Sequence, residues 1–506
     1  MWIDIISLLI KGKIFMDSTI KVIKKTSQTN GNKIALVIND ERITYKDFYE
    51  NIKSFSAYLY DIGFKKGDYI VARALCSKYY YISMLGTILA GGIFIPLQKD
   101  YPSSRFESLN NELNKIFLLI SNNNDSDLKD SLNINYLDYD DFSNVLKKTD
   151  KEFEEPDEHD TSFILFTTGT TGKAKGVCLP YCYMHRSLYN IRGPYNPNTI
   201  LMVSSPLNHV FAIGRSLALY TAGGTLVVMD GIGDLEQFYR YIDKEKVNGL
   251  TFSPSAINYL LALTKEELLS RLKQYEFFEI GGEKLLKSAQ ESYISSFPGV
   301  RLFNGYASTE SGPIGLYEFS KYGPTENRVG TMKDTIKFID ENGNFFKADK
   351  EHPGYIVSEA DWAMKYYYKD EEETKKVKRD NYIIMSDYGY VDDEGFLCLS
   401  GRAGDVIITG AYKVNPTDVE NVAMETGLIQ ECICIGKKDE IFGKKVALLV
   451  VMKEGIPFDK IQIKKFISSK LEKHMVPKTI IEVDKIQRNR NGKIDRKYYR
   501  EIENNE

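Results

Sequence analysis

The sequence predicts an α/β protein with a large, multi-subdomain N-terminal domain of layered sheets and helices and a small, mobile α+β C-terminal domain. The chain has 506 residues, and single hydrophobic cores stop growing near about 250–300 residues. Short apolar runs alternate with helical patterns from residue 34 onward. The last segment, of roughly one hundred residues, carries strands and helices of its own and has the length of a small domain.

Apolar runs bounded by turn and capping residues predict the elements of the large domain. Thr44 and Asp47 fit a capping box, with Asp in place of the usual Glu, before a helix that ends at Gly63. The polar, acidic stretch 122–160 is interpreted as a surface connection. Strands are predicted at 34–38, 69–72, 93–97, 163–166, 201–203, 225–229, 249–252 and 396–399, and helices at 49–62 and 78–90. This alternation implies a largely parallel sheet.

A domain boundary is predicted at Arg402-Ala403-Gly404. Residues 1–401 then form the large domain, 402–404 the hinge, and 405–506 the small domain. Two domains that meet at a glycine are expected to move relative to each other. The small domain has predicted strands at 406–408, 432–435 and 446–451 and helices at 417–425 and 460–472.

Composition excludes several classes of protein. The net charge of −4 gives no electrostatic footprint for nucleic acid. Six cysteines without a C-x-x-C pair argue against a disulfide framework or a zinc site, so we expect a reducing, cytoplasmic setting. No transmembrane segment is expected. Residues 1–15 are apolar but too short to span a bilayer, and we interpret them as a docked amphipathic helix or as an extension upstream of a native start at Met16.

A stretch rich in glycine and threonine follows the apolar strand at 163–166. Glycines let a phosphate approach the backbone, successive N–H groups can form an anion nest, and hydroxyls and lysines add donors and charge. The spacing is not that of a Walker loop, because Ala174 stands sixth from Gly169 and another strand follows. A plain hairpin turn is the structural alternative. Phosphate binding is predicted over Thr167-Thr168-Gly169-Thr170-Thr171-Gly172-Lys173-Ala174-Lys175-Gly176.

With its downstream motifs, the chain resembles the acyl-adenylate-forming superfamily, which includes acyl- and aryl-CoA ligases, stand-alone adenylation enzymes and luciferases. The resemblance runs from about Ile43 to Lys497. Residues 167–176 resemble the family's T-S-G-T-T-G-x-P-K-G, with Thr168 for Ser and Ala174 for Pro. The resemblance implies that this loop holds the β- and γ-phosphates of ATP.

Two further motifs resemble the family's nucleotide site. The family's Y-G-x-T-E is similar to Tyr306-Ala307-Ser308-Thr309-Glu310, directly after Asn304 and Gly305. The resemblance implies that Tyr306 stacks on adenine, Thr309 bonds the α-phosphate and Glu310 holds Mg²⁺. The last role suits a carboxylate, because carboxylate oxygens are typical ligands of hard cations. Gly281-Gly282-Glu283 resembles the adenine-side loop. A core tyrosine beside a surface glutamate is the structural alternative for the pentapeptide.

The remaining nucleotide residues lie far downstream. Ser386-Asp387-Tyr388-Gly389 and Gly401-Arg402 resemble the motifs in which Asp387 takes both ribose hydroxyls and Arg402 also reaches the ribose. Gly404 falls at the family's hinge position, and Lys493, in Asn491-Gly492-Lys493, matches the family's catalytic lysine. A turn aspartate and a solvated tail lysine are the structural alternatives.

The acid is expected to bind beside Ser205–Gly214, which resembles the stretch that borders the family's acyl pocket. The substrate residues predicted there are His209, Val210 and Gly214, with Gly305. Val210 stands where amino-acid-activating members place an aspartate, and an unpaired ammonium in an apolar pocket is costly. An aryl or aliphatic acid is therefore expected rather than an α-amino acid. A packed core histidine is the alternative for His209.

The resemblance implies an ATP- and Mg²⁺-dependent ligase that makes an acyl-AMP and then a thioester of CoA or of a carrier-protein phosphopantetheine. Its partners are a small carboxylic acid and, in the second case, an acyl carrier protein. The catalytic residues predicted are Lys493, Thr168, Glu310 and His209. Three alternatives stay open: a non-thiol acceptor, a luciferase-like oxygenase, and a nucleotide-binding protein without catalysis.

Overall fold

The computed structural model describes residues 17–168, 174–184, 194–282, 285–402, 405, 407–409, 412–439, 443–488, 494–496 and 498–499. Within these ranges the strands form sheets of eight, seven, six and five strands. Predictions that concern residues 1–16 lie outside the described part of the chain.

The strands are numbered in chain order over the described residues. They are β1 (Ile34–Ile38), β2 (Glu41–Thr44), β3 (Tyr69–Arg73), β4 (Ile93–Leu97), β5 (Leu118–Ser121), β6 (Asn135–Asp138), β7 (Thr161–Thr168), β8 (Ala174–Pro180), β9 (Ile200–Val203), β10 (Thr225–Val228), β11 (Gly249–Phe252), β12 (Phe277–Gly281), β13 (Arg301–Ser308), β14 (Gly312–Glu318), β15 (Arg328–Thr331), β16 (Ile336–Ile339), β17 (Gly354–Glu359), β18 (Tyr366–Tyr367), β19 (Lys378–Arg379), β20 (Tyr382–Val391), β21 (Phe396–Arg402), β22 (Ile407–Thr409), β23 (Tyr412–Val414), β24 (Ile429–Asp439), β25 (Gly443–Met452) and β26 (Thr479–Glu482).

The α-helices are numbered in the same way. They are α1 (Thr19–Thr29), α2 (Tyr45–Asp61), α3 (Lys78–Leu89), α4 (Phe106–Glu112), α5 (Leu128–Leu132), α6 (Phe142–Val145), α7 (Val210–Thr221), α8 (Leu235–Glu245), α9 (Pro254–Leu263), α10 (Lys265–Leu269), α11 (Lys287–Ser296), α12 (Phe319–Tyr322), α13 (Glu371–Val377), α14 (Pro416–Met424) and α15 (Lys460–Lys470).

The eight-stranded sheet has the order β14-β13-β12-β11-β9-β10-β1-β2. Its six central strands are parallel, and an antiparallel strand closes each edge. Strands such as β10 and β11 are buried along their whole length, as expected for parallel strands covered on both faces. The predicted parallel sheet is therefore confirmed, and it places the carboxyl ends of β12 and β13 side by side.

The seven-stranded sheet has the order β18-β8-β7-β4-β3-β5-β6. β7 and β8 are antiparallel, with Thr168 opposite Ala174, so the glycine-rich stretch connects the two arms of a hairpin. The interpretation of 122–160 as a surface connection is wrong. β6 lies within it and pairs in parallel with β5, and its buried Leu137 and Asp138 complete the edge of the sheet.

Helices α2, α3 and α7 share one buried core with strands of both large sheets. The start of α2 follows from its cap, because the Thr44 hydroxyl accepts a 3.1 Å hydrogen bond from the Asp47 backbone N–H. The helix ends before Gly63, whose φ of +91° favours glycine. The predicted Thr44 cap and glycine stop are both confirmed, whereas Asp47 accepts a 2.7 Å hydrogen bond from the Thr44 hydroxyl rather than from its backbone N–H.

The two smaller sheets are antiparallel except for β26, which pairs with β25 in parallel. The six-stranded sheet has the order β15-β21-β20-β17-β16, with β19 beside β20. The five-stranded sheet has the order β23-β22-β25-β24, with β26 on β25, and it forms a core of its own with α14 and α15. The protein is thus a mixed α/β structure with a large N-terminal and a smaller C-terminal domain, as predicted.

Over the described residues, no helix combines the length and the apolar character needed to cross a membrane.

Candidate active site

Two hydrogen bonds from tyrosines join three sheets at the predicted nucleotide site. Tyr306 of β13 bonds Asp387 of β20, and Tyr367 of β18 bonds Glu310 in the turn after β13. The eight-stranded, six-stranded and seven-stranded sheets therefore meet around residues 306–310, where the sequence predicted the adenine, α-phosphate and metal contacts.

Asp387 links residues that the sequence predicted from two separate motifs. Its Oδ2 accepts a 2.8 Å hydrogen bond from Tyr306 Oη, and its Oδ1 accepts one of 3.0 Å from Arg402 Nε. Asp387 and Arg402 face each other because β20 and β21 are in register at these positions. Each carboxylate oxygen keeps a second lone pair, so Asp387 can still accept hydrogen bonds from a ligand.

The charges and burial in this cluster shift two pKa values. The Asp387 carboxylate raises the pKa of the Arg402 guanidinium, which keeps the arginine charged. Burial, with a further contribution from Asp387, raises the pKa of Tyr306 well above its ordinary value. Tyr306 therefore stays protonated near neutral pH and donates its hydrogen to the carboxylate.

Glu310 lies in the tight turn between β13 and β14. Gly312 closes the turn with a φ of +70°, and a Cβ on it would come within 2.9 Å of the Trp362 ring. Ser308 Oγ accepts a 3.0 Å hydrogen bond from the Ser311 backbone N–H. The turn holds Thr309 and Glu310 side by side, both half-buried.

Tyr367 connects Glu310 with the glycine-rich hairpin. Tyr367 Oη donates a 2.9 Å hydrogen bond to Glu310 Oε1, and its backbone pairs with Val177 of β8. Lys175 Nζ lies 5.0 Å from the centroid of the Tyr367 ring and forms an ion pair with Glu373. The predicted phosphate-binding Lys175 is thus neutralised by a carboxylate in this structure. Sequence reasoning did not find Tyr367, since no pattern linked residue 367 to residue 310.

The adenine-side loop and the Tyr306 motif lie on neighbouring strands. Gly281 pairs with Gly305, and Asn304 pairs with Ile280. Gly282 follows with a φ of +88°, a conformation that favours glycine. The structure therefore brings the predicted residues 281–282 and 304–306 together at the carboxyl ends of β12 and β13.

Three of the four predicted substrate residues lie next to α7 or in its first turns, and the fourth, Gly305, lies in β13. His209 precedes the helix as its N-cap, and its backbone N–H donates a 3.0 Å hydrogen bond to the Pro206 carbonyl. Val210 begins the helix and is half-buried, and a Cβ on Gly214 would lie 3.2 Å from Tyr183 Oη.

A buried ion pair next to these residues was missed. Arg215 of α7 pairs with Glu279 of β12, and Tyr195 Oη donates a 2.7 Å hydrogen bond to Glu279 Oε2. The Arg215 guanidinium lies 4.7 Å from the centroid of the Phe211 ring. A single glutamate inside the apolar run 277–280 and a single arginine inside an apolar helix were the available signals.

Several predicted residues lie outside the described part of the chain, and the structure places none of them. They are Gly169, Thr170, Thr171, Gly172, Lys173, Glu283, Gly404 and Lys493. For Thr168 the structure describes the backbone, which ends β7.

The described residues contain no group of three or more His, Cys, Asp and Glu that could hold a metal ion. A magnesium ion can be held by one carboxylate together with substrate phosphates, and Glu310 presents a single half-buried carboxylate. Within the described residues, Tyr367 is the group that hydrogen-bonds its carboxylate, and the bond is made to Oε1.

The sequence and the fold match a known family of enzymes. Residues 23–368 match the family described as AMP-binding enzyme, and residues 418–493 match the AMP-binding enzyme C-terminal domain. The first match covers more than half of the chain. The chain therefore belongs to the AMP-binding enzyme family.

Individual relatives have low sequence identity to this chain, but the matches extend over most of its length. The chain is 28% identical over 386 residues to 4-coumarate–CoA ligase-like 9 of Arabidopsis thaliana, which covers 71% of this chain and 66% of that protein. It is 26% identical over 511 residues to a long-chain-fatty-acid–CoA ligase of Bacillus subtilis (strain 168), which covers 88% of each. ATP-bound MatB from Rhodopseudomonas palustris has the same fold, with a TM-score of 0.84 and 22% identity over 96% of this chain and 99% of that chain.

Proposed function

We propose that this chain activates an aryl or aliphatic carboxylic acid with ATP and then transfers the acyl group to a thiol. In the first step a carboxylate oxygen attacks the α-phosphorus, which forms acyl-AMP and releases pyrophosphate. In the second step the thiol sulfur attacks the acyl carbon, and AMP leaves. The observation that carries the proposal is the hydrogen-bonded cluster of Tyr306, Asp387 and Arg402. Tyr306 lies near the end of β13, and Glu310 lies in the turn that follows this strand.

The chemistry explains why such a site is needed. Both reactants of the first step are anions, so the site must position them and supply positive charge. Tyr306 offers a ring face to adenine, and Asp387 accepts hydrogen bonds from the ribose hydroxyls. Arg402 balances the charge of Asp387 from the opposite strand. Thr309 bonds an α-phosphate oxygen.

Glu310 is the proposed magnesium ligand, with Tyr367 holding its carboxylate in one orientation. The metal neutralises charge on the leaving pyrophosphate when it is bound. The loop from Thr167 to Lys175, including Thr168, binds the β- and γ-phosphates. For Lys175 to contribute, it must exchange its ion pair with Glu373 for a phosphate.

Lys493 is the proposed catalytic lysine that bridges the substrate carboxylate and the α-phosphate. The segment that follows it is anchored to the small domain, because Arg496 Nη2 lies 2.7 Å from Glu420 Oε2 of α14. Ile494 and Tyr499 pack with strand residues of the five-stranded sheet. Rotation of residues 405–506 about Gly404 would therefore carry Lys493 away after the first step and admit the thiol.

The acceptor proposed is CoA, since both relatives described above are named as CoA ligases. A carrier-protein phosphopantetheine offers the same thiol and would be tested beside it. Val210 supplies no carboxylate for an α-ammonium, which supports an acid other than an α-amino acid.

Acid-dependent exchange of labelled pyrophosphate into ATP tests the proposal. A panel of aryl acids, fatty acids of increasing length and α-amino acids would be assayed with Mg²⁺, without a thiol and then with CoA. We expect exchange with at least one aryl or aliphatic acid, and AMP and acyl-CoA formation once CoA is added. If no acid in the panel supports exchange, the ligase proposal is wrong.

A further inference from the structure

The interior of the large domain holds a charged pair in a place where apolar contacts would be expected. The side chain of Glu279 is fully buried, and that of Arg215 is 4% exposed. Buried charges are costly unless they are paired and hydrogen-bonded. The pair, together with the hydrogen bond from Tyr195 to Glu279 Oε2, satisfies that condition in the middle of β12.

The pair lies directly against the backbone that the proposed acyl pocket uses. A Cβ placed on Gly305 would lie 3.0 Å from both Arg215 Nη2 and Glu279 Oε1. A Cβ on the neighbouring Gly281 would lie 3.0 Å from the Phe211 ring. Because the two glycines have no side chains, Phe211 packs directly on the backbone of Gly281, and the ion pair packs directly on the backbone of Gly305.

This arrangement would limit the depth of a pocket that reaches Gly305. Arg215 and Glu279 occupy the space next to this glycine, so an acyl chain that extends to it meets a charged pair rather than apolar side chains. A compact acid that ends before the pair avoids that contact.

Glu279 also offers a specific contact to such an acid. Within the described residues Glu279 Oε1 accepts no hydrogen bond beyond its ion pair with Arg215. A carboxylate oxygen can accept two hydrogen bonds, so Oε1 can receive one from a hydroxyl group that reaches Gly305.

We propose, on the basis of the function proposed above, that the Arg215–Glu279 pair ends the acyl pocket and selects a compact carboxylic acid with a hydroxyl group remote from its carboxylate. Glu279 Oε1 accepts the hydrogen bond of that hydroxyl. Phe211 covers the rest of the acid, and long unsubstituted fatty acids are rejected. A site that hydrogen-bonds a substrate hydroxyl can have a much lower kcat/KM for the analogue that lacks the hydroxyl, because the buried polar group of the protein is then left unpaired.

Matched acids test the proposal on the unmodified protein. The pyrophosphate exchange assay would compare benzoate with its para-hydroxy and para-methoxy derivatives, hexanoate with its terminally hydroxylated derivative, and decanoate. We expect at least one hydroxy acid to exceed its unsubstituted and methoxy counterparts by about tenfold or more in kcat/KM, and decanoate to be the poorest substrate. No advantage for either hydroxy acid, or decanoate as the best substrate, overturns the inference while the ligase function stands. Failure of every acid to support exchange counts against both.

A variant without the polar cluster provides the second test. In Tyr195→Phe/Arg215→Met/Glu279→Leu the charges and the tyrosine hydroxyl are removed together, so no buried charge is left alone. We expect the hydroxyl preference to disappear and the activity with decanoate to rise about tenfold or more, a change typical of a pocket that gains apolar depth.

The control is Arg301→Gln/Glu318→Gln, which removes an exposed ion pair of 2.8 Å between β13 and β14. This control should keep the acid profile of the unmodified protein, and urea unfolding would show that both variants are folded. A triple variant that is folded and keeps the hydroxyl preference contradicts the inference. If the triple variant does not fold, the comparison of matched acids on the unmodified protein decides.

Discussion

Tyr306 Oη donates a 2.8 Å hydrogen bond to Asp387 Oδ2, although the two residues lie 81 positions apart in the sequence. The bond joins the eight-stranded sheet to the six-stranded sheet, and Arg402 takes the other carboxylate oxygen. A ring, a carboxylate and a guanidinium are therefore held together before any nucleotide arrives. Groups that are already in place lose less freedom when a ligand binds.

Replacing Asp387 by asparagine is expected to weaken AMP binding. The substitution removes the charged acceptor of Tyr306 and the ion-pair partner of Arg402, and hydrogen bonds to charged groups contribute about 1.5–3 kcal/mol. We therefore predict that the AMP dissociation constant, measured by calorimetry, rises by about tenfold to a hundredfold. Tyr390→Phe is a matched control on the same strand, since Tyr390 Oη accepts a 3.0 Å hydrogen bond from Asn327 Nδ2. Equal AMP affinity in Asp387→Asn and in the control would speak against a nucleotide site here.

Tyr367→Phe is expected to raise the Mg²⁺ concentration required for exchange. The substitution removes the 2.9 Å hydrogen bond that orients Glu310. The loss of about 1.4 kcal/mol corresponds to about a tenfold higher half-saturating Mg²⁺ concentration. The magnesium titration would be run at saturating ATP beside Tyr366→Phe, whose side chain is exposed on the same short strand. An unchanged magnesium requirement in Tyr367→Phe would rule out this positioning role.

Lys493→Ala is expected to separate the two half-reactions. The lysine is proposed to act in adenylation and to move away before thioester formation. We predict that pyrophosphate exchange falls by about a hundredfold or more, the effect of removing one electrostatic contact to a transition state. Thioester formation from supplied acyl-AMP should change much less. Equal losses in both half-reactions would contradict the rotation about Gly404.

Buried tyrosines predict a loss of stability at alkaline pH. Burial raises the pKa of Tyr80, Tyr220 and Tyr306 well above the ordinary value. Below about pH 10 these groups are protonated in both the folded and the unfolded state, so their contribution is complete. Above about pH 10 the unfolded chain loses protons that the folded protein keeps, and the free energy of unfolding falls by about 1.4 kcal/mol per pH unit for each tyrosine.

Urea unfolding between about pH 8 and pH 11 measures this dependence. In Tyr80→Phe the free energy of unfolding should fall less steeply with pH, because one buried tyrosine no longer contributes to the slope. A free energy of unfolding that stays level or rises above about pH 10 would contradict the assignment.

The sequence predicted much of the fold because its signals are local. Apolar runs bounded by glycines and a Thr44 cap define β1, α2 and their neighbours without reference to the rest of the chain. β6 was missed because an edge strand needs few apolar residues, and only Tyr136 and Leu137 supply them. Its pairing with β5, rather than its own composition, makes it a strand.

The site was predictable where motifs occupy consecutive positions, and it was not where partners come from distant elements. The residues around Tyr306 and Asp387 were proposed from motifs, and the structure adds that they touch. The Arg215–Glu279 pair depends on the packing of α7 against β12, which no pattern in either segment specifies. The Glu373 partner of Lys175 is missed for the same reason.

The fate of a carboxylate oxygen tests the proposed chemistry most directly. An acid that supports exchange would be labelled with oxygen-18 in its carboxyl group and converted with ATP and CoA in a single incubation. If the carboxylate attacks the α-phosphorus, mass spectrometry will find one labelled oxygen in AMP and one in the acyl-CoA. AMP without label, or ADP and phosphate as products, would show that no acyl-AMP forms and would contradict the account.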